Sequence, residues 1–187
     1  MWESEARQPA LEWSDGRVVA LVRAGDREAY RILVRRYQDV LYRYALRMTG
    51  SPDAAADLTQ AAFVKGYTHL RRCRDPDRFG AWLFRILANG CKDYLKSRRR
   101  QDVSLDEGLP LHAGPGADPL ANLERAELAR LLGRALGRLP EPQREAFLLK
   151  HVEGRSYEEI AELVGVSVPA LKMRVHRARE MLKAMLE

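Results

Sequence analysis

Apolar residues recur at helical spacing along most of the chain, and the breaks between these runs fall at glycine, proline and capping residues. In the first half the pattern predicts helices that begin at Ser14, Asp26, Ser51 and Asp77. Residues 101–119 contain three glycines and three prolines and have no apolar period, which is typical of a linker. We therefore predict an all-α protein with two small helical domains, 1–100 and 122–187, joined by a flexible acidic linker at 101–121.

The stretch 156–180 has the pattern of a helix-turn-helix. Ser156 and Glu159 match a capping box, Gly165 suits a turn with positive φ, and Ser167 can cap a second helix. The second helix combines an apolar stripe (Leu171, Val175, Ala178, Leu182) with polar groups that point elsewhere (Lys172, Arg174, His176, Arg177, Arg179). Such a helix can lie in the major groove of DNA, although a basic amphipathic helix on a protein or membrane surface has the same composition.

A second basic cluster occupies the loop after residue 70 and the last helix of the first domain. Its cations are Arg71, Arg72, Arg74, Arg78, Arg85, Lys92, Lys96, Arg98, Arg99 and Arg100, and they alternate with Phe79, Trp82, Phe84 and Tyr94. Cations and aromatic rings together suit single-stranded nucleic acid, since phosphates need charge and unstacked bases need a ring. The alternative is that the aromatic residues, which follow helical spacing, pack in the core. The formal net charge of +6 favours an anionic partner.

Other classes of function find little support in the residues. No apolar run approaches the roughly 20 residues that span a bilayer, and the N-terminus lacks the order of a signal peptide, so we expect a cytoplasmic protein without membrane insertion. Cys73 and Cys91 lack CxxC spacing, and the four histidines are scattered. We therefore expect no metal site, no cofactor and no catalytic residues.

Three motifs together resemble one family. They are DLTQ at 57–60, the F-x-x-W-L-x-x-I-x-x-N-x-x-x-D run at 79–93, and the R-x-H-R-A-R tail at 174–179, in that order. In these segments the chain resembles bacterial RNA polymerase sigma factors of the extracytoplasmic-function group, over roughly residues 15–100 and 122–185. The resemblance implies promoter-specific transcription initiation, with core RNA polymerase and promoter DNA as partners and, commonly, an anti-sigma factor.

The resemblance also implies roles for individual residues. The helix around Asp57, Leu58 and Gln60 is expected to dock on the clamp helices of the polymerase β′ subunit, with the β subunit as a further contact. The residues expected to capture, read and melt the −10 element are Arg71, Arg72, Arg74, Arg78, Arg85, Asn89, Lys92 and Lys96. The residues expected to contact the −35 element are Pro169, Ala170, Lys172, Met173, Arg174, His176 and Arg177.

The chain departs from the family pattern at a few of these places. Ala56 and Ala61 stand where acidic residues are usual beside DLTQ, and Pro169, Ala170 and Met173 replace a common Gly, Thr and Ser in the recognition helix. Ala170 and Met173 can contact a thymine methyl but cannot form the hydrogen bonds of Thr and Ser, so we expect a different −35 sequence. Two alternatives remain: an autonomous dimeric helix-turn-helix regulator, and a protein that occupies polymerase or an anti-sigma factor without initiating transcription.

Overall fold

The computed structural model describes residues 13–100 and 119–187, which form α-helices, two single-turn 3-10 helices and, within these ranges, no β-strand. The α-helices are α1 (Asp15–Arg23), α2 (Tyr30–Thr49), α3 (Pro52–Thr68), α4 (Phe79–Arg100), α5 (Pro119–Arg138), α6 (Glu141–His151), α7 (Tyr157–Val164) and α8 (Val168–Leu186). The all-α prediction is confirmed. Residues 101–118 of the predicted linker lie outside the described residues, and α5 begins at Pro119, just before the domain start expected at residue 122.

The N-terminal domain packs α1 to α4 around a shared core, in which α2 contacts both α3 and α4. Tyr44 and Leu33 of α2 and Phe79 of α4 are fully buried there. Tyr37 of α2 packs over Gly80 of α4, where an added Cβ would lie 2.5 Å from the tyrosine hydroxyl oxygen. A side chain at this position would require the Tyr37 ring to shift from its place against α4.

Most helix ends in this domain follow from local side chains. Ser51 Oγ accepts a hydrogen bond from the Ala54 amide at 3.3 Å, as expected of an N-cap. Two predicted starts are displaced. Asp26 instead accepts from the Ala29 amide in a turn, so α2 begins at Tyr30. Asp77 accepts from the Gly16 amide and lies in a 3-10 turn, so α4 begins at Phe79.

The C-terminal domain contains the predicted helix-turn-helix in α7 and α8. Ser156 and Glu159 form the reciprocal capping box, with N–O distances of 3.1 and 2.8 Å. Gly165 ends α7 with φ of 75°, and Ser167 caps α8 by accepting a hydrogen bond from the Ala170 amide. The predicted stripe of α8, Leu171, Val175, Ala178 and Leu182, is buried, largely against α6 and α7.

The two domains pack against each other through α2 with α5 and α6, and through α4 with α7. Their buried apolar side chains belong to one cluster. Arg144 of α6, which is 4 % exposed, donates to the Met48 carbonyl near the end of α2 and to the Gly137 and Leu139 carbonyls at the end of α5. A cation there satisfies carbonyls that helix ends leave unpaired and opposes their partial negative charge. The sequence did not predict this contact between the domains.

Candidate nucleic-acid and polymerase surfaces

Helix α8 exposes most of the residues expected to contact −35 DNA. Six of the seven are exposed: Pro169, Ala170, Lys172, Met173, His176 and Arg177. The seventh, Arg174, is half-buried. The Met173 side chain retains 50 % of its accessible surface, which is high for a large apolar residue. Because the opposite side of α8 is held in the domain core, this face is presented as one rigid surface.

Two of the cations on α8 interact with the protein itself. Lys172 Nζ lies 5.6 Å from the centre of the Tyr157 ring. Lys150 Nζ lies over the same ring, 4.6 Å from its centre. Arg174 lies close enough to Glu145 that its charge favours the ionised form of that carboxyl. Arg177 is exposed, whereas Arg174 is half-buried beside Glu145.

Four of the eight residues expected to contact the −10 element share one side of α4. Arg85, Asn89, Lys92 and Lys96 fall at steps of four, three and four residues, which places them within a narrow arc of the helix. Arg78, in the 3-10 turn immediately before α4, continues the same line. We call these residues, Arg78, Arg85, Asn89, Lys92 and Lys96, the α4 polar face.

Part of the α4 polar face is occupied by the C-terminal domain. Arg78 forms a forked pair with the Glu162 carboxylate, with N–O distances of 3.0 and 2.7 Å. Arg85 donates to the Glu162 backbone carbonyl at 2.8 Å, and Lys92 Nζ lies 3.0 Å from Glu145 Oε1. Asn89 and Lys96 are exposed. The structure thus brings five of the eight predicted −10 residues together, but on a surface that the other domain partly covers.

The loop before α4 presents Arg71, Arg72 and Arg74 as exposed side chains. The backbone of this loop is held by Arg23 of α1, whose guanidinium donates to the Leu70 and Cys73 carbonyls at 2.9 and 2.6 Å. In front of the loop is a cleft of about 700 Å³, lined by Arg72, Arg74 and Trp82 from this domain and by Arg155 and Glu162 from the other, among others. The loop is therefore a fixed turn that holds its cations at the mouth of a cleft.

The aromatic residues near these cations divide into two groups. Phe79 and Phe84 are 0 and 1 % exposed, so they belong to the core and are not available to stack on bases. Trp82 and Tyr94 are half-buried. Arg155 of the C-terminal domain covers Phe84, with its guanidinium 4.7 Å from the ring centre. Of these four, Trp82 at the cleft is the best placed to meet an unstacked base.

The DLTQ segment lies on α3. Asp57 and Gln60 are exposed on adjacent turns, whereas Leu58 is half-buried and packs against the core. Val64 continues the outer face one turn beyond Gln60, and 55 % of its surface is exposed. If this face docks on a partner, Val64 would add apolar area beside the two polar side chains. Sequence reasoning missed Val64, although its spacing of seven residues from Asp57 was visible.

Burial shifts the pKa of several groups near the domain interface. It raises the pKa of the Cys91 thiol to about 12, with Glu145 adding to the effect, so this cysteine is an unreactive core residue. Burial also raises the pKa of the Glu145 carboxyl, although the nearby Lys92 lowers it. In the same way burial raises the pKa of the Glu153 carboxyl, although the nearby Arg47 lowers it. Both carboxyls belong to the C-terminal domain and face cations of the N-terminal domain.

Taken together, a capped helix-turn-helix and a cationic helix with a loop of arginines define a DNA-binding protein of the helix-turn-helix class. Residues 33–101 match the model of sigma-70 region 2, and residues 129–182 match that of sigma-70 region 4. The chain therefore belongs to the sigma-70 family, as an extracytoplasmic-function sigma factor that directs promoter-specific transcription.

Relatives and solved structures agree with this assignment. The ECF RNA polymerase sigma-E factor of Haemophilus influenzae is 31 % identical over 93 % of this chain and 96 % of its own length, and that of Escherichia coli K12 is 34 % identical over 89 and 91 %. The structure of CnrH in complex with the cytosolic domain of CnrY is similar, with a TM-score of 0.67, 31 % identity and coverage of 92 % of this chain and 96 % of that one. The sigma factor RpoE of Bartonella quintana, solved with the anti-sigma factor NepR, has a TM-score of 0.69, 26 % identity and coverage of 84 and 96 %.

Within the described ranges, no helix combines the length and the apolar composition needed to cross a membrane.

Proposed function

We propose that this sigma factor divides promoter recognition between a domain within residues 1–100 and a domain within residues 122–187. The C-terminal domain contacts the −35 element as duplex DNA. The N-terminal domain binds core RNA polymerase and stabilises the melted −10 element. Neither contact is extensive, so the two act together on polymerase, where each raises the local concentration of the other.

The observation that carries this proposal is the division of α8 into a buried apolar stripe and an exposed face. Arg177, His176 and Met173 lie on that exposed face. A helix held in this way can enter the major groove without unfolding its domain. Arg177 can donate two hydrogen bonds to a guanine edge, and Met173 can contact a thymine methyl.

For the −10 element, support comes from the loop and from the α4 polar face. Arg72 and Arg74 flank a cleft beside Trp82, an arrangement that suits a base extruded from the stack. Asn89 and Lys96 extend the contact along α4 toward its cationic end. The loop would hold the extruded base while the helix neutralises the phosphates of the displaced strand.

For core polymerase, support comes from the outer face of α3. Asp57 and Gln60 supply polar contacts, and Val64 supplies apolar area beside them. We assign this face to the clamp helices of the β′ subunit, with the β subunit as a further contact. The protein acts through binding, without a catalytic step of its own, in the cytoplasm where polymerase works.

An anti-sigma factor is a further partner. CnrH is recorded with the cytosolic domain of CnrY, and RpoE of Bartonella quintana with the anti-sigma factor NepR. Both proteins resemble this chain over most of its length, which supports an equivalent partner here.

Run-off transcription from genomic DNA fragments, with purified core polymerase and with or without this protein, tests the proposal. We expect discrete new transcripts that depend on the protein, together with weak DNA binding by the protein alone. Tight, sequence-specific binding by the free protein as a two-fold dimer, without new transcripts, would instead identify an autonomous regulator. Binding to core without new transcripts would identify a protein that occupies polymerase.

A further inference from the structure

Two lysines from different helices lie over the ring of Tyr157, the first residue of α7. Lys150 Nζ, in the last turn of α6, is 4.6 Å from the ring centre, and Lys172 Nζ, near the start of α8, is 5.6 Å from it. Both distances are within the roughly 6 Å over which an aromatic ring attracts a cation. The ring is half-buried and packs against the core, so the fold fixes its position.

This arrangement gathers two like charges near one point without pairing them with an acidic side chain. Lys150 Nζ also donates to the Arg155 carbonyl at 3.2 Å, in the loop before α7. Within residues 13–100 and 119–187, neither ammonium forms an ion pair with a carboxylate. A ring face and a carbonyl carry only partial negative charge, so they offset the repulsion between the two cations incompletely. An anion that contacts both ammonium groups is therefore favoured.

The position of the two lysines indicates the class of this anion. Lys172 belongs to the exposed face of α8, with Met173 next to it and His176 one turn further along. Lys150 comes from α6, so the pair extends from the recognition helix to the helix that precedes the helix-turn-helix. Beside a helix that enters the major groove are the phosphates of the DNA backbone, which attract cations whatever the base sequence.

We propose that Tyr157 is a positioning residue for −35 DNA, and that its ring holds Lys150 and Lys172 as a two-lysine clamp on the phosphate backbone. A lysine side chain loses rotamer freedom when it binds, and the ring has already removed part of that freedom. The ring face does this without the Tyr157 hydroxyl. Lys150 thereby joins the residues that contact −35 DNA. This inference rests on the proposed contact between the C-terminal domain and that element.

The test compares two substitutions of the ring. Tyr157→Leu removes the ring and keeps an apolar side chain, whereas Tyr157→Phe keeps the ring and removes the hydroxyl. The probe is a random-sequence DNA duplex of about 30 base pairs, because phosphate contacts do not depend on sequence. Fluorescence anisotropy measures its binding to the full chain from about 50 to about 200 mM salt, the range over which phosphate contacts weaken strongly. Circular dichroism reports helix content.

We expect Tyr157→Leu to bind the duplex about 3- to 10-fold more weakly than the wild type, and Tyr157→Phe to bind like the wild type. The slope of log affinity against log salt should be shallower by about one to two in Tyr157→Leu, since each phosphate contact contributes about 0.9. In a background of Lys150→Met with Lys172→Met, Tyr157→Leu should have no further effect on affinity. A ring that only stabilised the fold would not produce this dependence on the two lysines.

A second comparison removes one charge at a time. Lys150→Met should weaken binding and make the slope shallower by about one, whereas Lys183→Met, in the last turn of α8, should do neither. This comparison decides the matter if Tyr157→Leu loses helix content, and equal effects of the two lysine substitutions would then overturn the clamp.

Wild-type affinity and slope in a folded Tyr157→Leu variant would also overturn the proposal. So would a Tyr157→Phe variant that binds as weakly as Tyr157→Leu, because the hydroxyl would then be the contact. Met173→Glu separates these failures from failure of the proposed function, since it places a carboxylate on the exposed face of α8. If Met173→Glu leaves duplex affinity unchanged, that face does not bind DNA. If it lowers affinity while Tyr157→Leu and Lys150→Met bind like the wild type, only the clamp is wrong.

Discussion

Replacing Lys92 by Met should destabilise the protein more than replacing Glu145 by Gln. Lys92 Nζ lies 3.0 Å from Glu145 Oε1, and the side chains are 28 and 1 % exposed. At an effective dielectric constant of about 20 their gross attraction is about 5 kcal/mol, which desolvation of the carboxylate partly offsets. Without Lys92 the buried carboxylate keeps its desolvation cost and loses its cation. Without the Glu145 charge, the partly exposed ammonium of Lys92 can turn to water.

We therefore expect Lys92→Met to lower the free energy of unfolding by about 2–4 kcal/mol near neutral pH, somewhat less than a fully buried pair would cost. Glu145→Gln should lower it by about 1 kcal/mol or less, since the amide removes the need for a cation. Adding Glu145→Gln to Lys92→Met should recover most of the loss. Urea unfolding followed by circular dichroism measures all three, and Lys96→Met, one turn along α4 and exposed, is the matched control.

The pH dependence gives a second readout of the same pair. Burial raises the pKa of Glu145, so the folded protein binds a proton more readily than the unfolded chain does. Stability from such a group is present below the unfolded pKa and is lost as pH rises through the folded pKa. Lys92 and Arg174 oppose this shift and Glu141 adds to it, so removing Lys92 raises the pKa further. The difference in free energy of unfolding between the wild type and Lys92→Met should therefore shrink as pH falls from about 7.5 to about 5.5.

The reasoning would be refuted if Lys92→Met were no less stable than Lys96→Met, because the buried pair would then carry no cost. It would also be refuted if the deficit of Lys92→Met stayed constant with pH, since a stranded carboxylate must gain stability on protonation.

Three further predictions concern the proposed surfaces. Asp57→Ala and Val64→Ser should each weaken binding to core polymerase by about 1–3 kcal/mol, as measured by titration calorimetry, without altering thermal stability. Unchanged affinity in both variants would exclude the outer face of α3 as the polymerase contact. Arg177→Ala should weaken binding of the holoenzyme to −35 duplex DNA by about 1–3 kcal/mol if the side chain contacts a guanine, as measured by filter binding on a promoter found by run-off transcription. An equal loss of affinity on every −35 sequence would mean that Arg177 contacts a phosphate instead. The double variant Arg72→Ala, Arg74→Ala should reduce opening of duplex promoters but not binding to a template already melted at −10. Permanganate footprinting on both templates makes the comparison, and an equal loss of binding on both would contradict the two-domain mechanism.

The helix-turn-helix was predictable because its determinants are local. Ser156 bonds to a residue three positions away, Gly165 needs only its own backbone freedom, and Ser167 caps the next turn. Each is an interaction within one turn of chain, so the sequence contains it directly. The burial of the α8 stripe followed from the same spacing.

Helix starts were less predictable where a side chain had two possible partners. Asp26 can cap a helix or close a turn, and the turn prevails because its carboxylate accepts from the Ala29 amide. Asp77 accepts from Gly16, a residue of α1 that is 61 positions away. No local pattern distinguishes these outcomes, because the competing partner belongs to the tertiary structure.

The domain interface could not be predicted from the sequence at all. The pair between Arg78 and Glu162 joins residues 84 positions apart, and neither residue has a neighbour that marks it as paired. Glu145 has no feature in the sequence that separates it from the exposed glutamates of other helices. Its burial depends on the placement of α6 against the first domain, beside Tyr44 and Cys91.

The positive charge along α4 also explains why acidic side chains of the second domain lie against it. Arg78, Arg85 and Lys92 lie along one side of the helix, so their mutual repulsion favours any arrangement that brings an anion to them. In the absence of DNA the nearest anions are the carboxylates of α6 and α7, held at high local concentration by the chain itself. A cationic face that suits phosphates is therefore also a face that acidic side chains of the same chain can occupy.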